Sequence, residues 1–495
     1  MAVGGLEAGG GAAQAHTLVS GKQALSTVEA SGLSLAGLAP TMAMALGTAF
    51  AASEAGGAAP LSYLLGFVGS LALGFVIVKF ARRYVAAGVG FTYVRAAFGI
   101  PAGFTAGWVY AGAWMFGVAV NSAIASNSLV AFFALHNITV SWLVFFIPMI
   151  AVCAGINYVG VKPSVRAQVT LELASMAALA VVMTYVLAKG GAHGLSLSPF
   201  NPHYSTKGWG GIGYGMIFGF SGFAGFEAAA ALGRETRTPT KSIPRAIMFS
   251  LIGAGLFFVY VTYALSVGYG ASNGHVWAAD ATPLSTIASR YAGSTWAQTI
   301  DILVAVSGFS GAMGIVTLAS RIFYDMGRGG VGVPWLVRIH RRFHTPTRLV
   351  IMICSVAVVT GVIVGETTTP ATVVGFIGSC TTLGLIAVYF AIALAGLRNF
   401  NSRDSRSGHK VGMQFAYVFL PLVAMGLLGY AFYSSVIPVP AFPFNLAPYI
   451  VVFFAALGLA VYLRARHRGV IDPLTGDDQL TADKELRPVY DEAVP

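Results

Sequence analysis

The stretch WGGIGYGMIFGFSGFAGFEAAAALG, residues 209–233, decides how the chain is interpreted. It is apolar enough to cross a bilayer, yet it is rich in glycine and carries one carboxylate, Glu227, well inside it. Glycine disfavours helix by about 1 kcal/mol relative to alanine, so the run Gly219–Gly225 indicates an opened helix. In lipid the freed backbone groups are tolerated only where they line a cavity or bind something. We interpret Phe220–Gly225 as half of a binding site; the alternative is a close approach of two helices through small residues.

The composition of the whole chain is that of a polytopic membrane protein. Hydrophobic residues make up 56% of its 495 residues, charged residues only 9%, and the mean hydropathy is +0.75. Soluble domains carry about 25% charged residues. The three cysteines lie in apolar runs and the nine histidines form no HExxH motif, so we expect no metal site and no cofactor.

Apolar runs of roughly twenty residues, the length of a membrane-spanning helix, recur along the chain. They predict twelve spans. The predicted spans are residues 30–51, 60–79, 104–133, 139–158, 167–188, 209–233, 244–268, 296–323, 349–365, 370–397, 413–433 and 446–464.

The basic residues orient these spans. If the N-terminus is cytoplasmic, only Lys189, Lys207 and Arg290 of the 29 lysines and arginines fall on the outer side, which leaves 29 − 3 = 26 inside. Cytoplasmic segments carry such an excess of basic residues. This distribution predicts a protein of the cell membrane with both termini cytoplasmic. We therefore attribute the net charge of +11 to membrane orientation and not to nucleic-acid binding.

A second interruption falls in span one, where Pro40 lies within ASGLSLAGLAPTMAMALGTAF. Proline removes one helical hydrogen bond and clashes with the preceding turn, so Pro40 indicates a break in the helix. The alternative is a simple kink. Interrupted helices at matching positions of two inverted halves are a sequence signature of a transporter's binding site. Ligand groups would then bind backbone atoms around Leu38–Met42 and Phe220–Gly225.

Three motifs, the first within the stretch quoted above, support a family resemblance. They are GFSGFAGFE (219–227) followed by IPRAI (243–247), the loop ASRIFYDMGRGGVGVPWLVRIHRRFHTPTR (319–348), and KFARRYVAAGVGFTYVRAAFG (79–99). Together they resemble the amino acid/polyamine/organocation (APC) permease superfamily, in the expected order across spans one to ten. The resemblance implies a LeuT-like fold of five plus five inverted helices with helices one and six broken, followed by two C-terminal helices.

The resulting domain plan has three parts. Residues 1–25 form a cytoplasmic tail, and 26–465 form the transporter domain. Within it, inverted repeats cover about 30–188 and 209–397, and extra helices cover 413–464. Residues 466–495 form an acidic cytoplasmic tail that we expect to be disordered.

Two departures from the family pattern bear on the substrate. Many relatives have a glycine-rich break in span one whose amides hold a carboxylate, whereas here the segment reads Ala39-Pro40-Thr41, which makes an amine substrate more plausible. Many proton-coupled relatives carry a lysine midway along span five. Ser175 aligns with it, and the nearest ionisable residue is Glu172.

Candidate site residues follow from the two breaks and the resemblance. For substrate binding they are Leu38, Ala39, Pro40, Thr41, Met42, Asn121, Phe220, Ser221, Gly222, Phe223, Ala224 and Gly225. For coupling or gating they are Glu227, Glu172, Ser175, Ser307 and Ser310. Each has a structural alternative: Glu227 could satisfy the opened backbone, Glu172 could pair with an arginine, Asn121 could bond a neighbouring helix, and the serines could bond their own helix.

The sequence therefore predicts a secondary active transporter in the lipid bilayer. It would move an amino acid or related amine by alternating access, with H⁺ or Na⁺ coupling. Two alternatives stay open: a polyamine or organic-amine transporter or exchanger, and a receptor that binds amino acids without transporting them. An enzyme is not predicted, because no G-x-S-x-G, HExxH or paired carboxylates occur within a span.

Overall fold

The described part of the chain is entirely helical. A computed structural model describes residues 27–84, 89–160, 165–230, 239–328, 336, 338–343, 345–366, 370–400 and 411–467, and these ranges contain no strand. The predicted N-terminal tail lies outside the described residues, as does the C-terminal tail beyond His467. The last helix continues to His467, two residues past the predicted domain boundary.

Eight helices make up the first predicted half. They are α1 (Thr27–Leu38), α2 (Pro40–Ala43), α3 (Leu46–Ala55), α4 (Ala59–Ala81), α5 (Val89–Phe98), α6 (Ile100–Ala134), α7 (Leu143–Val159) and α8 (Val165–Ala188). Proline lies in the first turn of α4 and α6. There its missing N–H would have no helical partner, so Pro60 and Pro101 start these helices without cost.

Nine helices follow. They are α9 (Gly208–Phe223), α10 (Pro239–Tyr269), α11 (Gly274–Ala278), α12 (Pro283–Ala292), α13 (Ser294–Arg328), α14 (Thr347–Glu366), α15 (Pro370–Phe400), α16 (Val411–Val436) and α17 (Ala447–His467).

Helix occurs in all twelve predicted apolar runs, but fewer of them satisfy the length of a membrane span. Nine helical stretches in the described ranges are long and apolar enough to cross a membrane. One of the nine, Pro40–Ala81, joins the second part of span one to span two. The helices of spans four and six, α7 and α9, have 17 and 16 residues and fall short of that length. The number of crossings stays a prediction.

Two long helices, α6 and α13, pack side by side in the middle of the bundle, and α15 packs on the other side of α6. Glycine sets their spacing: a Cβ added at Gly308 of α13 would lie 2.8 Å from the Cβ of Ala125 on α6. Small residues allow membrane helices to approach in this way. The break in span one lies against this pair.

Candidate functional site

The helix of span one is interrupted at Ala39. α1 ends at Leu38, Ala39 has φ 44° and ψ 60°, and α2 begins at Pro40. The left-handed region costs a residue with a Cβ about 1–2 kcal/mol, and a following proline disfavours the helical conformation before it. A second irregularity at Met44 and Ala45 separates α2 from α3. The interruption thus lies directly before Pro40.

Span six leaves its helix later than the glycine pattern indicated. The predicted opening begins at Phe220, but α9 continues to Phe223. The next residue, Ala224, has an extended backbone, and Gly225 has a φ of +100°. Packing explains the extra turn. Phe220 packs on Gly69 of α4, where an added Cβ would lie 2.8 Å from its ring. Phe223 stacks on Phe67 at a centroid distance of 5.8 Å. These contacts outweigh the roughly 1 kcal/mol helix penalty of a glycine.

The second interruption touches the end of α1, directly before the first interruption. A Cβ built on Gly225 would lie 3.1 Å from the carbonyl oxygen of Gly37. Ser34 Oγ on α1 donates a hydrogen bond of 2.5 Å to the carbonyl oxygen of Phe226, which is 192 residues away in sequence. The end of α1 and the second break, which are distant along the chain, thus share one buried location.

A polar cluster holds the segment after the first break. The N–H of Thr41 donates to Glu172 Oε1 across 3.2 Å, and Ser307 Oγ donates to the same oxygen across 3.1 Å. The N–H of Met42 donates to Ser307 Oγ at 3.3 Å, and Thr41 Oγ1 lies 2.9 Å from Ser175 Oγ. Three predicted coupling residues, from α8 and α13, therefore meet at the amides of α2.

Glu172 is buried, with 3% of its surface exposed. Every group bonded to its carboxyl is neutral, and it forms no ion pair with a described residue. An ionisable side chain in this position within a membrane is a functional candidate by default. Ser310, also predicted for coupling, is half-buried and makes no hydrogen bond through its side chain within the described residues.

Glu227 is enclosed by two tyrosines from different helices. Its Oε1 accepts hydrogen bonds from Tyr110 Oη of α6 at 2.5 Å and from Tyr389 Oη of α15 at 2.7 Å. Its Oε2 has no hydrogen-bond partner among the described residues. The carboxyl directly follows the second break, so it ties that turn to α6 and α15. Neither tyrosine was predicted from the sequence, because an aromatic residue in a span usually serves packing.

The other predicted substrate-binding residues divide into two groups. Asn121 is buried beside the first break: an added Cβ at Gly311 would lie 2.7 Å from its Nδ2 and 3.0 Å from Ala39 Cβ. By contrast, Gly222 faces a ring, since an added Cβ would lie 3.2 Å from Phe258. Leu38, Pro40 and Met42 are buried at the first break, and Ser221 and Ala224 are half-buried at the second.

The sequence matches one protein family over most of its length. The profile of the family described as "Amino acid permease" matches residues 30–461. Among curated relatives, the branched-chain amino acid permease BcaP of Lactococcus lactis is 27% identical over 360 residues, covering 68% of this chain and 75% of BcaP. The low-affinity putrescine importer PlaP of Escherichia coli is 23% identical over 378 residues, covering 74% of this chain and 78% of PlaP.

A third relative, the serine/threonine exchanger SteT of Bacillus subtilis, is 26% identical over 58% of this chain and 64% of its own length. Among solved structures, the manganese transporter of Eremococcus coleocola in complex with an aromatic bis-isothiourea substituted compound shares the fold. Its TM-score is 0.52 at 11% identity, covering 88% of this chain and 94% of that one. A mutant of the same transporter gives a TM-score of 0.55 at 11% identity, covering 91% of this chain and 97% of that one. The predicted family is confirmed: this chain is an integral membrane protein of the amino acid permease family, within the APC superfamily.

Proposed function

We propose that this protein is a secondary active transporter that holds an amino acid or related amine between the breaks of spans one and six. The contact between Gly37 and Gly225 carries the proposal, because it brings the end of α1, two residues before the interruption at Ala39, against the second break inside the bundle. An irregular backbone at membrane depth is tolerated where it is buried in protein or lines a cavity. Alternating access would come from movement of one helical bundle against the other.

The second break offers acceptors to an amine. The last carbonyls of a helix have no helical partner. At the end of α9, Ser221 O accepts from the N–H of Ala224 and Phe223 O from the N–H of Phe226, at 3.1 and 3.3 Å. The Gly222 carbonyl accepts no bond of this kind from the described residues beyond the helix. We assign it, with Asn121 and the turn ending at Glu227, to the ligand's amino group.

The first break offers less to a carboxylate. Its two amides are already bonded within the chain, Thr41 N–H to Glu172 and Met42 N–H to Ser307, and Pro40 has no N–H. A substrate carboxylate would have to displace the Glu172 carboxyl. This arrangement favours the second candidate function, transport or exchange of an organic amine or polyamine, and the relatives include both a putrescine importer and amino acid permeases.

Glu172 is our candidate for ion coupling. Its carboxyl connects α8 and α13 to α2, so binding or loss of a proton there would change the bonds that hold the first break. A sodium ion among Glu172, Ser307 and Thr41 is the alternative. The five-plus-five repeat, the cytoplasmic termini and the location in the cell membrane belong to the same proposal and rest on the family and on the distribution of basic residues.

Uptake by proteoliposomes tests the function. The purified protein is reconstituted, and entry of radiolabelled leucine, serine and putrescine is followed with imposed proton or sodium gradients. We expect saturable, gradient-driven uptake of at least one probe, with putrescine competing better than zwitterionic amino acids. Saturable binding without entry would instead identify a receptor, and entry without saturation would contradict a transporter.

A further inference from the structure

A basic groove lies on the outside of the bundle between α4 and α10. It has a volume of about 610 Å³ and is lined by the last turns of α4 and the first turns of α10. The lining residues are Val78, Arg82, Lys241, Pro244, Arg245, Met248, Phe249 and Ile252. The predicted topology places this end of both helices at the cytoplasmic surface of the membrane.

The groove forms where the two helices separate. Deeper in the bundle they pack closely: an added Cβ at Gly74 would lie 2.6 Å from Leu251 Cδ2, and one at Gly255 would lie 2.1 Å from the Phe67 ring. Val78 is one turn beyond Gly74 on α4, and Met248 is about one turn before Leu251 on α10. The close contact thus closes the groove at its deep end and leaves it open toward the surface.

On both helices the cationic side chains lie at the open end of the groove, and the apolar side chains lie toward its deep end. Arg82 directly follows the last residue of α4, and Lys241 and Arg245, four residues apart, lie on one face of the first turns of α10. All three side chains are exposed, and none forms an ion pair within the described ranges. The apolar side chains of Phe249, which is 70% exposed, and Ile252 follow on α10. At a rise of 1.5 Å per residue, Ile252 lies about 10 Å along the helix from Arg245.

From this order we infer that the groove binds an anionic phospholipid. Its phosphate would contact Arg82, Lys241 and Arg245, and one acyl chain would lie along Phe249 and Ile252. Basic pockets between spans on the cytoplasmic side are suited to anionic head groups. A soluble anion would use the cations but not the exposed apolar side chains deeper in the groove, so we commit to a membrane lipid.

Binding of a defined lipid tests the inference. The purified full-length protein in detergent is titrated with phosphatidylglycerol, phosphatidylcholine or inorganic phosphate, and lipid adducts are counted by native mass spectrometry while the unfolding midpoint is recorded. A ligand that binds the folded state raises this midpoint. We expect retained phosphatidylglycerol and a midpoint several degrees higher, with little effect of phosphatidylcholine or phosphate.

Matched charge variants locate the site. Lys241→Ala/Arg245→Ala should lose the phosphatidylglycerol adduct and the midpoint shift, whereas Arg464→Ala/Arg466→Ala, which removes two charges at the predicted cytoplasmic end of α17, should keep both. The swap Lys241→Arg/Arg245→Lys should also keep them and serves if the alanine pair does not fold. Equal loss in the α17 pair, or equal stabilisation by phosphate and phosphatidylglycerol, would overturn the inference. None of these outcomes depends on the transported substrate.

Discussion

Ser307 on α13 and Glu172 on α8 are joined by a hydrogen bond of 3.1 Å, and each also accepts a bond from an N–H of α2, Ser307 from Met42 and Glu172 from Thr41. A serine and a carboxylate from two long helices thus hold the short segment after the first break. Movement of α13 relative to α8 would lengthen these bonds. We therefore expect the position of this segment to depend on the protonation of the Glu172 carboxyl.

Replacement of Glu172 by glutamine should uncouple transport from the proton gradient. Glutamine keeps the size of the side chain and one acceptor oxygen, but it cannot gain or lose a proton in the physiological range. No charged side chain on α2, α8 or α13 contacts this carboxyl among the described residues, so the change should leave no unpaired ion. In proteoliposomes we expect wild-type uptake to rise when the outside is acidified and Glu172→Gln uptake to stay constant.

The matched control for that experiment is Glu54→Gln, which alters a carboxylate that pairs with Lys207 at 2.6 Å, away from the cluster. Its gradient response should equal that of the wild type. If Glu172→Gln retains the full response to acidification, the proton is carried elsewhere.

Gly225→Ala should impair the second break. The φ of +100° is strained for any residue with a Cβ, at about 1–2 kcal/mol. The added atom would also lie 3.1 Å from the Gly37 carbonyl oxygen. We expect a lower unfolding midpoint and reduced uptake. Gly253→Ala on α10 is the control, because its Cβ would meet no atom within 4 Å and alanine favours helix; a similar loss in this control would contradict the prediction.

Substitutions of Ala39 should rank by their tolerance of the left-handed region. Glycine relieves the strain of φ 44° but adds about 0.5–1 kcal/mol of backbone entropy, so Ala39→Gly should be neutral or slightly stabilising. Valine is β-branched, and Gly311 of α13 leaves little room beside Ala39, so Ala39→Val should lower the unfolding midpoint clearly. Ala151→Val on the exposed face of α7 should change it little. An Ala39→Val protein as stable as wild type would show that the break has another conformation.

The tyrosines on Glu227 should act together. Tyr110→Phe or Tyr389→Phe leaves the carboxyl with one donor, at a cost of about 1–3 kcal/mol. The double variant leaves Oε1 without either donor, so its loss should exceed the sum of the single losses by at least about 0.5 kcal/mol. Unfolding of the four proteins in detergent measures the coupling, with the exposed Tyr449→Phe as control. Strict additivity would mean that the two bonds are independent.

Local backbone chemistry was predictable from the sequence. Pro40 located the first interruption because proline acts on its neighbours within a turn, and apolar runs located the helices because membrane helices have a fixed length. The glycine cluster indicated the region of the second irregularity but placed its start four residues early. The side chains that extend α9, Phe220 and Phe223, pack against α4, and sequence alone does not tell which helix lies opposite them.

The partners of the two buried carboxyls could not have been predicted. Tyr110 lies 117 residues before Glu227 and Tyr389 lies 162 residues after it. Their meeting depends on how three helices are arranged, which no local pattern encodes. The bond from Thr41 to Glu172 likewise spans 131 residues. The candidate coupling residues were predicted from carboxylates within spans and from the family resemblance, but the common location of Glu172, Ser175 and Ser307 is a property of the fold.

The bond from Ser34 to the carbonyl of Phe226 has a mechanical consequence. Ser34 also accepts a hydrogen bond of 3.1 Å from Ser250 Oγ of α10, so three elements are fastened at one point. If α1 swings outward on its own, it must break both bonds, which are formed by buried serine side chains. The first part of span one (α1), the turn after α9 and the part of α10 that carries Ser250 would therefore move as one unit relative to the two breaks.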